Sequence, residues 1–202
     1  MTLYELYQRE HTGILLHCKH TPHPPGSILS HQNKEMVVIG ISLKELLQCT
    51  ELAYQRKLIN ERNGIKDRSC IKDPYDRRKA EITGTVAELA CSKYFGCSFD
   101  SSTHSRKGGS DMILKDGRKI DIKCCQIGNE KQKYVVVSES KKLGYADLYI
   151  FCKISKIKKG VAPVSVELYG MATEYEIIDD TNKIENKKGY WLKKSKLKDI
   201  KV

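Results

Sequence analysis

Between residues 112 and 125 the chain reads Met-Ile-Leu, then Lys115-Asp116-Gly117-Arg118, then KIDIKCC. Asp-Gly between two strand-prone runs is a strong short-range hairpin signal, because glycine takes the positive φ that such a turn needs. On a strand, residues i and i+2 share a face. Asp121 and Lys123 are therefore expected to project together, with Ile120, Ile122 and Cys124 toward the opposite layer. Asp111 precedes the first run, and the turn brings it back toward Asp121.

The flanking sequence supplies the elements that would surround this hairpin. MVVIGI (36–41) reads as a strand, after a loop at HTPHPPGS (20–27) that its prolines and glycine keep out of regular structure. Ser42 and Glu45 form a capping-box pattern. Leu43, Leu46, Leu47, Leu52 and Leu58 then recur at helical spacing up to about Asn63, and Gly64 stops the helix. A basic loop is expected over 64–72. Asp73-Pro74 marks a second start, an N-cap followed by proline at the first helical position. Gly84 is expected to break this second helix, leaving a third helical stretch over 84–95 that ends at Gly96. YVVVS (134–138), ADLYIFCKI (146–154) and VSVELYGMA (164–172) are further strands. Thr173 can cap a short helix over 174–178, and the chain closes on a strand and a basic tail.

Helices first, then a helix feeding a mainly antiparallel or mixed sheet, give an α/β (α+β) fold of packed layers. The division is an N-terminal elaboration over 1–72 and a core over 73–202.

The composition is that of an ordinary globular chain, with 40% apolar and 30% charged residues. No apolar run approaches the roughly 18 residues a spanning helix needs. MTLYELYQREHTG lacks the basic start and apolar stretch of a signal peptide, so a cytoplasmic location is expected. The eight cysteines show no C-x-x-C and several sit in apolar settings, which favours free buried thiols. The net charge of +11 favours a polyanionic partner, nucleic acid being the commonest.

Two carboxylates on one sheet edge can hold a hard divalent cation through oxygen. A neighbouring ammonium can orient an attacking water and offset charge developing on a phosphoryl group. Asp111, Asp121 and Lys123 supply these groups. The tripeptide alone is a weak signal, since Glu139-Ser140-Lys141, Glu185-Asn186-Lys187 and Asp199-Ile200-Lys201 have the same pattern. Residues 121–123 differ in having an acidic residue before a preceding hairpin strand and an upstream helix with its own glutamate, Glu88. On spacing alone, Asp121 and Lys123 read equally well as a solvated ion pair on a strand face.

GTVAELACSKYFG (84–96) followed by GGSDMILKDGRKIDIKCCQ (108–126) resembles the core of the PD-(D/E)xK nuclease superfamily. More narrowly, it is similar to small phage- and mobile-element-encoded members with a G-x-x-x-E helix. The resemblance covers roughly 80–175 and does not explain 1–72; Ser110 stands where the family pattern has proline. It implies a restriction-endonuclease-like core, a central mixed sheet flanked by helices, and Mg²⁺ or Mn²⁺ as cofactor. It further implies Asp111 and Asp121 as direct metal ligands, with the Ile122 carbonyl as a third. Glu88 would hold a second ion or its water, Lys123 would position the nucleophilic water, and Gln126 would support the site. The activity implied is DNA phosphodiester hydrolysis. An endonuclease is favoured over an exonuclease because the helical region at 42–80 could serve as a reading element, with a homo-oligomer left open. The competing expectation is an inactive nucleic-acid-binding protein on the same core.

Arg106, Lys107, Arg118 and Lys119 flank the hairpin and are the expected phosphate contacts. Further basic groups cluster at Arg56, Lys57, Arg62, Arg77 and Arg78 and near the C-terminus; each can also be a solvated face. Five of the six histidines fall within 11–31, beside Cys18, without a defensible zinc spacing.

Overall fold

A computed structural model describes residues 29–31, 34–65, 73–103, 109–126, 134–138, 144–155, 164–183 and 189–200. Residues 11–28 of the histidine-rich segment over 11–31, Arg106, Lys107 and residues 66–72 of the loop expected over 64–72 lie outside the described residues.

The elements in chain order begin with β1 (Leu29–His31), β2 (Lys34–Ile41), α1 (Leu43–Arg62) and α2 (Pro74–Phe95). Then come β3 (Met112–Ile113), β4 (Lys119–Gln126), β5 (Tyr134–Ser138), β6 (Leu148–Ile154), β7 (Val164–Thr173), α3 (Glu174–Ile177) and β8 (Gly189–Lys193). Six strands form a mixed sheet in the order β1-β2-β7-β6-β4-β3. Only β4 and β6 run parallel within it; the other neighbours are antiparallel. The α+β class is as expected. β2, from the segment expected to elaborate the core, lies inside this sheet against β7.

Local sequence accounts for the helix ends. Ser42 and Glu45 close a capping box, and Asp73 caps α2 by accepting from the Asp76 N–H at 2.9 Å. Gly96 ends α2 in the left-handed region at φ 60°. Gly84 does not break the helix: α2 runs through it as one element of 22 residues. The cost of an interior glycine, about 1 kcal/mol, is offset by the burial of Val86, Ala87, Ala90 and Cys91 on the next turns. Thr83 and Thr85 fold their hydroxyls back onto the Lys79 and Glu81 carbonyls at 2.7 and 3.1 Å.

The sheet has a different cover on each face. Leu46, Cys49, Val86, Ala90, Cys91 and Phe95 of the helices pack on Ile120, Ile122, Ile150, Cys152 and Val166. On the other face, Tyr149, Phe151 and Ala172 pack against Val135, Val137 and Leu192 of a separate β5–β8 ribbon, and against Leu197. The result is three layers: helices, sheet, ribbon.

β7 changes faces midway. Cys152 pairs with Leu168 but Phe151 pairs with Gly170, which leaves Tyr169 as a bulge. Even-numbered Val164, Val166 and Leu168 therefore face the helices, while Ala172 faces the ribbon. Gly170 lets the C-terminal segment approach β7: a Cβ there would lie 2.7 Å from Leu197 Cβ.

Candidate active site

The β3–β4 hairpin forms as expected. Gly117 takes φ 88°, and the Leu114 N–H donates to the Arg118 carbonyl at 2.9 Å. Met112 pairs with Ile120, so one step further out Asp111 stands opposite Asp121. The Asp111 N–H donates to the Ile120 carbonyl at 2.9 Å, and its Oδ2 accepts from the Ile122 N–H at 2.7 Å. These two bonds fix the Asp111 backbone and carboxylate against β4.

Ile120 and Ile122 face the helices, so Asp121 and Lys123 face the ribbon side. The Asp121 side chain is 1% exposed and ion-paired with Lys123, whose own side chain is 30% exposed. A buried carboxylate paired to a partly exposed ammonium means that Lys123 connects the site to solvent. The backbone of Gln126 ends β4 beside Ile154, while its side chain lies outside the described residues.

Glu88 sits in the helix layer, largely buried. Its partner is Arg56, Nη1 to Oε2 at 3.1 Å, with the two side chains 15% and 14% exposed. Arg56 also donates to the Ser102 and Asp100 carbonyls at 3.1 and 2.6 Å. Arg56 is thus a clamp between α1, α2 and the 100–102 segment, and a guanidinium so engaged is not a surface contact for phosphate. No local pattern signals this clamp, because Arg56 and Glu88 are 32 positions apart.

Electrostatics tie the three acidic residues together. Burial first, then the charges of Asp121 and Glu88, push the Asp111 carboxyl up to about 6. The Ile122 N–H and Lys123 pull in the opposite direction without cancelling this.

The chain matches no protein-family model, no curated protein and no solved structure.

Asp111 and Asp121 are hard oxygen donors facing one another, and their repulsion is the kind a divalent cation relieves, so the pair fits Mg²⁺ or Mn²⁺. Glu88 is held by Arg56, and among the described residues no three His, Cys, Asp or Glu side chains are grouped to hold an ion together.

Arg118 and Lys119 are exposed beside the site, Arg118 bonding through Nε to Asp116 Oδ2 at 2.6 Å. The Lys119 N–H donates to Asp147 Oδ2 at 2.7 Å, and the Asp147 N–H returns a bond to the Lys119 carbonyl at 2.9 Å. The six described cysteines are free, with Cys49, Cys91 and Cys152 buried. Burial raises the Cys49 thiol to about 12, the signature of a structural rather than a reactive thiol. Among the described residues no helix is long and apolar enough to cross a membrane.

Proposed function

We propose that this chain is a Mg²⁺- or Mn²⁺-dependent DNA nuclease of the PD-(D/E)xK kind, hydrolysing phosphodiester bonds and acting as an endonuclease. The observation that carries the reading is the placement of Asp111 opposite Asp121, with Lys123 paired to Asp121 on the same strand.

In this reading Asp111 and Asp121 hold the cation, with the Ile122 carbonyl as a third ligand. When bound, the cation supplies Lewis acidity toward a phosphoryl oxygen and the attacking water. Asp111 is already anchored to β4, its Oδ2 accepting from the Ile122 N–H. Lys123 moves its ammonium from Asp121 toward the water and the scissile phosphate, orienting the first and offsetting charge on the second. Its partial exposure leaves room for that motion. Glu88 contributes through its charge on Asp111 or through a water, since Arg56 holds it in the helix layer. Arg118 and Lys119, joined by Arg106 and Lys107, contact the DNA backbone, and the net charge of +11 assists encounter.

The reading is tested by substituting Asp121 with alanine and assaying DNA cleavage and DNA binding separately. Cleavage should vanish while salt-sensitive binding survives. Full cleavage by Asp121→Ala, or cleavage by the wild type in EDTA, rules the reading out. Binding without cleavage by the wild type on every DNA substrate favours an inactive binding protein.

A further inference from the structure

The ribbon packs over one part of the sheet face that carries the site: Tyr149, Phe151 and Ala172 lie under Val135, Val137, Leu192 and Leu197. In the parallel β4–β6 ladder Asp121 pairs with Tyr149, Lys123 with Phe151 and Cys125 with Lys153. Lys119, Asp121, Lys123 and Cys125 alternate onto that one face of β4, and Lys153 shares it as the ladder partner of Cys125. Lys119 thus stands one same-face step before Asp121, and Lys153, beside Cys125, one such step beyond Lys123. Six residues of strand span about 20 Å. The two lysines therefore bracket the site over the length of about six phosphates of one DNA strand.

A second cation reaches the Lys153 end from the C-terminal segment. Leu197 is buried against β7, where a Cβ on Gly170 would meet it, and Met171 and Lys198 exchange backbone bonds of 2.9 and 2.8 Å. These contacts seat the Lys194–Lys196 turn on the sheet. The Lys194 ammonium lies 5.2 Å from the centre of the Tyr169 ring, at the bulge of β7 opposite the Cys152–Lys153 end of β6. A ring face holds an ammonium without neutralising it. Lys153 has Glu167 Oε2 at 3.7 Å, with the two side chains 26% and 24% exposed. An ion pair of that length and exposure contributes little to stability, and it leaves the ammonium open to a second anion.

We propose, resting on the nuclease reading, that Lys153 and Lys194 hold the DNA backbone on the far side of the scissile phosphate from Lys119. The strand then crosses the site with cations on both sides of the cut, an arrangement suited to an internal phosphodiester. The contacts are to phosphate oxygens, so they position the strand and do not read its sequence.

The test is fluorescence anisotropy of the full chain with a labelled duplex in EDTA, over a range of salt, comparing wild type with Lys153→Gln and Lys194→Gln combined. Binding should weaken, and its dependence on log salt should become shallower by about 2, each lost contact removing close to one. Lys153→Arg with Lys194→Arg should restore both. Lys44→Gln with Lys57→Gln removes the same charge from α1, in the helix layer, and should leave the slope as it was. An unchanged slope in the first variant, an equal loss in the α1 variant, or a collapse of the thermal midpoint that assigns the two lysines to the fold overturns the proposal and leaves the nuclease reading standing. A wild type with no salt-sensitive DNA binding overturns the reading and the proposal together.

Discussion

Asp111 Oδ2 accepts a 2.7 Å hydrogen bond from the backbone N–H of Ile122, the residue between Asp121 and Lys123. One bond thus fixes the carboxylate before the hairpin to the strand that carries the other two polar groups. It also holds two carboxylates at close quarters, which stores repulsion that pH can release.

Asp111 titrates near 6 in the folded chain, above the ordinary value of 3.8. The folded state then binds the proton more tightly than the unfolded one, so stability falls as pH rises from about 4 to about 6. Asp111→Asn keeps an acceptor for the Ile122 N–H and removes the charge. The variant should be more stable than wild type by up to about 3 kcal/mol at pH 8, with no gain at pH 3.5. Urea denaturation at the two pH values checks this; an equal effect at both would contradict it.

Arg56→Met should destabilise the chain by about 3 kcal/mol, because it leaves the largely buried Glu88 carboxylate and the Asp100 and Ser102 carbonyls without their donor. Adding Glu88→Gln should recover part of the loss. Glu88→Gln alone should lower the Asp111 pKa, since Glu88 is one of the charges that raise it. Carboxyl NMR titration reads the shift, and an unmoved Asp111 would separate the two residues electrostatically.

The hairpin, both helix starts and the end of α2 were legible because each is written within a few residues: Asp-Gly, Ser42 with Glu45, Asp73-Pro74, Gly96. Alternation on the second hairpin strand likewise placed Asp121 with Lys123. Gly84 misled, because local propensity opposes a helix there while the burial of Val86, Ala87 and Ala90 sustains it. The Arg56–Glu88 clamp, the ladder position of Tyr149 beside Asp121 and the bulge at Tyr169 are tertiary facts. They depend on which strands become neighbours, and no short window of sequence contains that.

Gly170→Ala should cost about 1–3 kcal/mol. The new methyl would meet Leu197 Cβ at 2.7 Å and press on the backbone bonds between Met171 and Lys198, 2.8 and 2.9 Å. Thermal unfolding checks the loss; a neutral substitution would mean that the C-terminal segment yields freely.

Arg118→Ala with Lys119→Ala should weaken DNA binding across all sequences and make its dependence on log salt shallower by about 1 per phosphate contact removed. Fluorescence anisotropy at low and moderate salt reads both. A weaker affinity with an unchanged slope would place these residues away from phosphate.

The most direct measurement is incubation of supercoiled plasmid, linear duplex and single-stranded DNA with wild type and Lys123→Ala, in Mg²⁺, Mn²⁺ or EDTA. Metal-dependent nicking or linearisation of the plasmid by wild type, lost in Lys123→Ala and in EDTA, is the expected result. Cleavage that persists in EDTA, or that Lys123→Ala retains in full, would contradict a metal-dependent nuclease centred on Asp111, Asp121 and Lys123.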